Sequence, residues 1–520
     1  MSLDLGPGPA AVIGRRAAPA TVGARWWPRC AVPGVPALLA LGLSLWGLSR
    51  QGAIWRDEAA TWEVARRSIP EIWHMIGQVD VVHGLYYLLI HTSFEVFGAN
   101  LAALRLPSAL GAIVAAAATA AIGRRLAGPT AGLSAGLVLA LLPVMQRYAQ
   151  EGRSFTLVTA GVAVATWLLV GAVCPAGPTT SRDGRGRRAA WGWRWGGYTA
   201  VMLATALLNW LSLFALAAHG VTVLIAWRTG QRPLLARWLM SAAVIAAGTL
   251  PLILASLPQA DQVAWIQPAS AVTLLGVTAM LVIALACARV PRPARTELSP
   301  VPVGLPLLAV PQLGLLLASW LIKPLYVDRY VLFAYIGLAL LVGPAIAWAV
   351  RAALPYGRAR GWGWLRGEML LAGLVAVVFI ALLPLERGLR NPESRTDDVR
   401  VTADKVAELA RPGDGVLYIP DQRRDAALVT PAEFNGLDDL ALAEDPVASG
   451  TLYGVEATPE RIRAAMLAHR RVIVVSDIVP SPAPSAPRDL TKFTVLARHF
   501  TLTVSAETGG RRVMVYEKTR

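Results

Sequence analysis

Along the chain, apolar runs of about 18–22 residues alternate with short polar or basic segments, and that is the length a helix needs to cross the ~30 Å hydrocarbon layer of a bilayer. The runs fall near residues 32–49, 105–123, 131–147, 153–173, 196–209, 211–227, 237–257, 271–289, 302–322, 330–350 and 367–385, which predicts eleven spans. The pair at 196–227 is short for two crossings. The apolar stretch 83–97 is shorter still and carries His83, His91 and Glu95. Counted as a crossing, it would put Arg124, Arg125 and the basic loop of Arg182, Arg185, Arg187 and Arg188 outside the cell. Read as an interfacial or re-entrant helix, it leaves both groups inside, where arginine-rich loops are retained. Arginine placement therefore favours the second reading.

The same rule orients the rest. Arg15, Arg16, Arg25 and Arg29 precede the first span, so residues 1–31 are expected to be a disordered cytoplasmic tail. Residues 32–385 form the membrane module, with a first extracytoplasmic loop at 50–104, and residues 386–520 lie outside the membrane. This last part changes character. Strand-like runs at 415–419 and 471–476, a hairpin of 500–504 with 511–516 across Gly509-Gly510, and helical periodicity at 397–409 and 459–469 predict a small α/β domain. A proline-rich loop occupies 480–487.

Composition agrees with the pattern: of 520 residues, 55% are hydrophobic and only 16% charged. A soluble domain rarely combines these values, so a multi-pass protein of the cell membrane is expected. The net charge of +16 is what cytoplasmic arginine loops produce. Nucleic acid is disfavoured as a partner, because the basic runs separate apolar spans and lack interleaved aromatics. Cys30, Cys174 and Cys287 are far apart and none forms a CxxC, so neither a disulfide framework nor a metal site is indicated.

With this threading, the polar clusters of the membrane module fall on the outer face, as one cavity opening outward would require. They are Arg56-Asp57-Glu58, Asp80 with His83, Tyr148 through Arg153, Asn209-Trp210, Asp261-Gln262 with Trp265 and Gln267, and Lys323 through Tyr330. A carboxylate such as Asp57 suits a general base that deprotonates an attacking hydroxyl; equally, Asp is a favoured helix N-cap, and both readings stand. Asp80 and His83, three apart, could orient a substrate or ligate a metal, or be solvated interfacial residues. Lys323, Tyr326, Arg329 and Tyr330 suit a lipid-linked phosphate; the alternative is snorkelling cations and interfacial tyrosines. Glu151 and Arg153 either pair with each other or brace the first loop. Trp210 and Trp265 either stack on a sugar or anchor at the interface.

Five stretches in order, WRDEA at 55–59, DVVHGLYYLLIH at 80–91, LRLPSALGA at 104–112, RYAQEGRSF at 147–155 and, more weakly, PLYVDRY at 324–330, carry a resemblance. Over roughly residues 33–350 the chain resembles the integral-membrane glycosyltransferases of superfamily C (GT-C), particularly bacterial relatives of the protein O-mannosyltransferase and aminoarabinose transferase group, family 39-like. The resemblance implies a GT-C fold for the membrane module, to which the span count adds about eleven transmembrane helices and the C-terminal pattern an extracytoplasmic α/β domain. It implies inverting transfer of a sugar from a polyprenyl-phosphate donor, in contact with membrane lipid, to an extracytoplasmic glycan, glycolipid or protein. Carried over, Asp57 is the catalytic base and Glu58 supports it. Asp80 and His83 line the pocket, Arg105, Glu151 and Arg153 brace it, and Lys323 and Arg329 receive the donor phosphate; Tyr148, Tyr326 and Tyr330 are further candidate substrate-binding residues. Many relatives have a Pro-Pro pair where this chain has Gly84-Leu85, which marks a subfamily. Some relatives bind a divalent cation and others need none; no metal is assigned. The high arginine and alanine usage resembles that of actinobacteria, where mannosyl transfer is common in this group, so mannose is the preferred donor sugar.

Two other classes compete. A transporter or flippase of a lipid-linked or polar substrate usually shows paired halves and midplane polar residues, and no such halves appear. A non-catalytic assembly partner would have no need of both Asp57 and Arg329.

Overall fold

The computed structural model describes residues 30–174, 184–228, 233–259, 265–291, 298–362, 364, 366–395, 397–478 and 486–519, with side chains left undescribed over 184–191 and at 358. The N-terminal tail to residue 29, Arg182, Asp261-Gln262 and the proline-rich stretch at 480–485 lie outside the described residues.

A helix stands at each predicted span. They are α1 (Ala31–Leu45), α5 (Leu101–Ala127), the pair α6 (Pro129–Leu141) and α7 (Pro143–Ala149), α8 (Phe155–Val173), α9 (Gly184–Leu208), α10 (Leu213–Arg228), α11 (Pro233–Ser256), α12 (Ala271–Ala288), α13 (Val301–Leu321), α14 (Ala334–Ala359) and α15 (Gly367–Leu389). Among the described residues, nine helices are long and apolar enough to cross a membrane, and α6 with α7, bent by 61°, makes a tenth if counted as one span. The bend has a local cause. Leu142 precedes Pro143, whose ring disfavours the helical region for the residue before it, and Leu142 sits at φ −65°, ψ 121°. The break turns α7 and the loop after it toward the first loop.

That first loop folds into three short helices, α2 (Arg56–Ala65), α3 (Ile69–Gln78) and α4 (Gly84–Phe97). The start of α3 is fixed by a capping box, in which the Ser68 backbone N–H donates to Glu71 at 2.8 Å. At 14 residues, α4 is about 21 Å long, too short to span. It buries Tyr86, Ile90 and Phe94 with Ala65, Ala103 and Leu104, while Leu85, Leu89, Val96 and Phe97 stay exposed. Its exposed face is therefore apolar as well.

After α15 the chain forms α16 (Val399–Leu409), α17 (Asp425–Val429), α18 (Pro459–Ala468) and α19 (Pro487–His499). The strands are β1 (Gly415–Ile419), β2 (Asp438–Asp439), β3 (Leu442–Glu444), β4 (Val455–Glu456), β5 (Arg471–Asp477), β6 (Phe500–Thr508) and β7 (Arg511–Lys518). The main sheet runs β2-β1-β5-β7-β6, with β1 parallel to β2 and β5 and the last two strands antiparallel; β3 and β4 pair separately. The hairpin is longer than its predicted 500–504 and 511–516. Gly509 and Gly510, with φ of 57° and 81°, make the tight turn that right-twisted strands favour, and the ladder continues up to it.

Alternation along the strands separates two cores. Leu417, Ile419, Val472 and Val474 pack with Ile462, Met466 and Leu496 of α18 and α19. On the other face, Val416, Tyr418, Ile473 and Val513 share a core with Val399 and Ala403 of α16, and with Ile54 and Ala59 of the first loop. Backbone bonds strengthen this junction: Trp55 bridges Asp398, and Val399 N–H donates to Ile54 O at 2.9 Å. The sheet domain is thus seated directly on the loop that carries Asp57 and Glu58.

Candidate active site

The first turn of α2 organises the site. Sequence left Asp57 open as a helix cap, but the N-cap is Trp55, whose extended backbone is held by the sheet domain. Asp57 and Glu58 fall two and three positions past the cap, in the first turn, where carboxylates are favoured by the helix dipole. Consecutive helical residues point about 100° apart, so the two carboxylates diverge.

Glu58 points into the protein and is 0% exposed. Arg50 Nη2 donates to its Oε2 at 2.7 Å, Arg105 Nε and Nη2 reach it at 2.7 and 2.8 Å, and the Gly152 N–H closes on Oε1 at 2.8 Å. Arg105 also donates to Leu48 O and Ala53 O at 2.7 and 2.6 Å. Burial alone would raise the Glu58 pKa, but Arg105 and Arg50 outweigh it and hold the carboxyl at about 2. Glu58, an expected catalytic candidate alongside Asp57, thus ties together the end of α1, α2, α5 and the α7–α8 loop. It is shielded from any substrate.

Asp57 points the other way. Its Oδ2 lies 3.4 Å from Arg329 Nη2 and its Oδ1 3.9 Å from Arg56 Nε, with 17% of the side chain exposed. The Arg329 guanidinium, 14% exposed, stands 5.3–5.8 Å from the rings of Trp55, Phe155, Trp265 and Tyr330. Such aromatic faces stabilise a cation and exclude water from it. Its Nε is buried without a hydrogen-bond partner. Tyr148 sets this arginine indirectly: its hydroxyl donates to Asp328 Oδ1 at 2.9 Å, and the same oxygen accepts the Arg329 backbone N–H at 2.8 Å.

A second strand of polar groups supports α2. Asp80 takes the left-handed conformation (φ 60°, ψ 33°), one that Asp tolerates better than most residues. Its carboxylate meets His83 Nδ1 at 2.6 Å and accepts from the Tyr87 hydroxyl. On the far side of the ring, His83 Nε2 lies 2.9 Å from Arg153 Nη2. Arginine only donates, so Nε2 accepts, the ring is neutral, and its proton sits on Nδ1 facing Asp80. Arg153 Nη1 then reaches Thr61 Oγ1 at 3.2 Å and Asp57 O at 3.4 Å. Burial raises the Asp80 pKa, but His83, Arg153 and Tyr87 together pull it below its ordinary value. Glu151 pairs with Arg395 at 2.7 Å, and burial still pushes its carboxyl up.

Asp57, Asp80, His83, Arg153, Arg329 and Tyr330 therefore belong to one connected group of side chains, braced by Arg105, Glu151 and Tyr148. Tyr326 is placed elsewhere: its hydroxyl donates to Gln312 at 2.6 Å and its ring packs with Val277, Leu315 and Val331. Lys323 stands half-buried in the turn after α13. Sequence reasoning did not single out Arg50, Tyr87, Asp328 or Arg395 as site residues. Tyr87 lay within a quoted motif, whereas nothing local marks Arg395, which reaches Glu151 from 244 residues away.

The donor set does not fit a protein-held divalent cation. Glu58 and Asp80 have their oxygens engaged by arginines, His83 and Tyr87, and Asp57 faces a guanidinium. Among the described residues no group of three or more His, Cys, Asp or Glu side chains gathers.

No protein-family profile matches the chain, and no curated protein matches it. Its fold defines its class: the protein is a polytopic membrane protein with the GT-C architecture and an appended sheet domain. In particular, it is similar to the crystal structure of ArnT from Cupriavidus metallidurans in the apo state, with a TM-score of 0.57 over 93% of this chain and 97% of that one, at 14% identity. The structure of the same protein bound to undecaprenyl phosphate matches with a TM-score of 0.52 over the same shares, also at 14% identity. At that identity the likeness establishes the fold.

Proposed function

We propose that the protein is an inverting glycosyltransferase that moves a sugar from a polyprenyl-phosphate donor to an acceptor hydroxyl outside the cell membrane. The observation that carries this reading is the facing pair of Asp57 and Arg329, a carboxylate and a cation that are partly exposed and flanked by aromatic rings. The binding of undecaprenyl phosphate by ArnT, which shares the fold, supports the donor class.

In this mechanism the donor phosphate replaces Asp57 as the partner of Arg329, and the sugar lies between them. Lys323 and Tyr330 assist at the phosphate. The acceptor hydroxyl gives its proton to Asp57 while its oxygen forms a bond to the anomeric carbon from the face opposite the phosphate. The sugar–phosphate C–O bond breaks, its electron pair leaves with the phosphate, and Arg329 stabilises that charge. The anomeric configuration is inverted. Glu58, Arg105, Arg153, His83 and Asp80 hold α2 in place and touch no reacting atom.

The site is assigned to the extracytoplasmic side. Arg105 begins α5 beside the site and Arg124-Arg125 end it, a separation of about 30 Å along a helix axis. The basic end belongs inside. Mannose is the proposed donor sugar and residues 386–520 the proposed extracytoplasmic domain. The test is transfer by the purified protein from a panel of polyprenyl-phosphate sugars. Inverted product from such a donor is expected; transfer from a nucleotide sugar without lipid, or retention of configuration, overturns the proposal.

A further inference from the structure

The sheet domain sends the loop between β3 and β4, residues 445–454, across the first-loop helices. Arg67 at the end of α2 is clamped by Glu63 at 2.7 Å and donates to Thr451 O at 2.9 Å and Pro446 O at 3.5 Å. Leu452 packs against the core of Val64, Ile72, Met75 and Tyr87. Gly450 has φ +61°, and a Cβ there would come within 2.2 Å of the His74 ring, so the two segments are in close contact. On the other side of Leu452, Arg424 donates to Tyr453 O at 2.7 Å and is itself held by Asp439 at 2.7 Å and Glu456 at 3.2 Å. The backbone is thus pinned from both domains, with Tyr453 between the pins.

The Tyr453 phenol is half-buried and lies within electrostatic reach of Asp57, Asp80 and Arg56. Among the described residues its hydroxyl makes no hydrogen bond, whereas the neighbouring Tyr87 is committed to Asp80. Asp80 is also occupied by His83, and Leu452, next to Tyr453, packs in the cluster that contains Tyr87, which sets this part of the loop beside the Asp80–Tyr87 pair. Burial and the surrounding carboxylates raise its pKa, so it remains a neutral donor.

We infer that the 445–454 loop is the acceptor-side wall of the site, and that Tyr453 is a positioning residue that bonds a hydroxyl of a sugar or polyol acceptor next to Asp57. This rests on the transfer reaction proposed above. One acceptor hydroxyl gives its proton to Asp57 while a neighbouring oxygen accepts from Tyr453, and the phenol ring offers the flat apolar wall that a sugar face fits.

The experiment uses the full-length purified protein, a panel of polyprenyl-phosphate sugars, and two acceptors: methyl α-mannoside and a serine-containing hexapeptide. Tyr453→Phe is expected to raise the KM for the glycoside about tenfold, the cost of one lost hydrogen bond. KM for the donor, donor turnover to water and thermal unfolding should match wild type. An unchanged glycoside KM, or better transfer to the peptide than to the glycoside, overturns the inference while leaving the transfer reaction intact. Absence of transfer by the wild-type protein from every lipid-linked sugar overturns both.

Discussion

Asp57 and Glu58 are adjacent residues of one helix, and each meets arginine under opposite conditions. Around Glu58 two guanidiniums and a backbone N–H close at 2.7–2.8 Å with no exposed surface. At Asp57 the guanidiniums of Arg329 and Arg56 stand off at 3.4 and 3.9 Å, and solvent reaches the carboxylate. The tight cluster has no room for a ligand, and breaking it leaves a buried charge unpaired. The loose one can exchange its partner. Within one turn of α2, the chain separates a group that builds the site from a group available for chemistry.

The largest expected effect falls on the closed cluster. Glu58→Gln leaves Arg50 and Arg105 without their counter-charge, which costs about 3–5 kcal/mol for a buried pair and should appear as a sharp loss of thermal stability in detergent. The sign of the pH dependence is fixed by the direction of the shift. The Glu58 pKa is depressed to about 2 in the fold, against about 4.3 in an unfolded chain. Its stabilisation is therefore complete above the unfolded value and is lost as pH falls through this window toward 2. Unfolding temperatures of wild type and Glu58→Gln should converge as the pH is lowered from 5 to 3; a constant gap would mean that Glu58 is not the ionised hub described here.

Next comes Arg329. Arg329→Ala removes the cation beside the leaving phosphate, and a loss of about 10²–10³ in kcat is expected from comparable electrostatic deletions. Unfolding should change little, because Arg329 contacts Asp57 at 3.4 Å rather than closing a buried pair. Equal damage to stability and turnover would make Arg329 another brace and erase the contrast with Glu58. The smallest effect belongs to His83. It is a neutral strut between Asp80 and Arg153, so His83→Ala should slow transfer about tenfold, the worth of the hydrogen bonds that steady Arg153. His83→Gln should recover part of this loss, and the pH–rate profile should keep its shape. A lost limb in that profile would give His83 a proton to transfer.

The same contrast shows where sequence reasoning reached and where it stopped. Apolar length located a helix at each of the eleven predicted positions, of which nine, or ten with the bent α6–α7 pair, are long and apolar enough to cross among the described residues, and Gly509-Gly510 located the terminal hairpin. Arginine placement grouped Asp57, Asp80, His83, Arg153 and Arg329 on one face, and the fold brings these side chains together. What stayed hidden depends on contacts distant in sequence. Trp55 takes the helix cap because its backbone pairs with Asp398, and Arg395 reaches Glu151 from beyond the last span. The loop that carries Tyr453 is tied to the end of α2 by Arg67, which donates to Thr451 O from 384 residues away. The strands β2, β3 and β4 are two or three residues long, too short to show a period. The different fates of Asp57 and Glu58 could not be read locally either, since they depend on Arg50, Arg105 and Arg329 arriving from three other elements.

The central claim is that Asp57 removes the acceptor proton. Its most direct test is the single-turnover rate of purified Asp57→Asn with a polyprenyl-phosphate sugar bound and acceptor added. A rate lower by about 10²–10⁴ is predicted, the usual contribution of a general base, with donor affinity equal to or tighter than wild type, because the charge that competes for Arg329 is gone. A variant that transfers at the wild-type rate would contradict it.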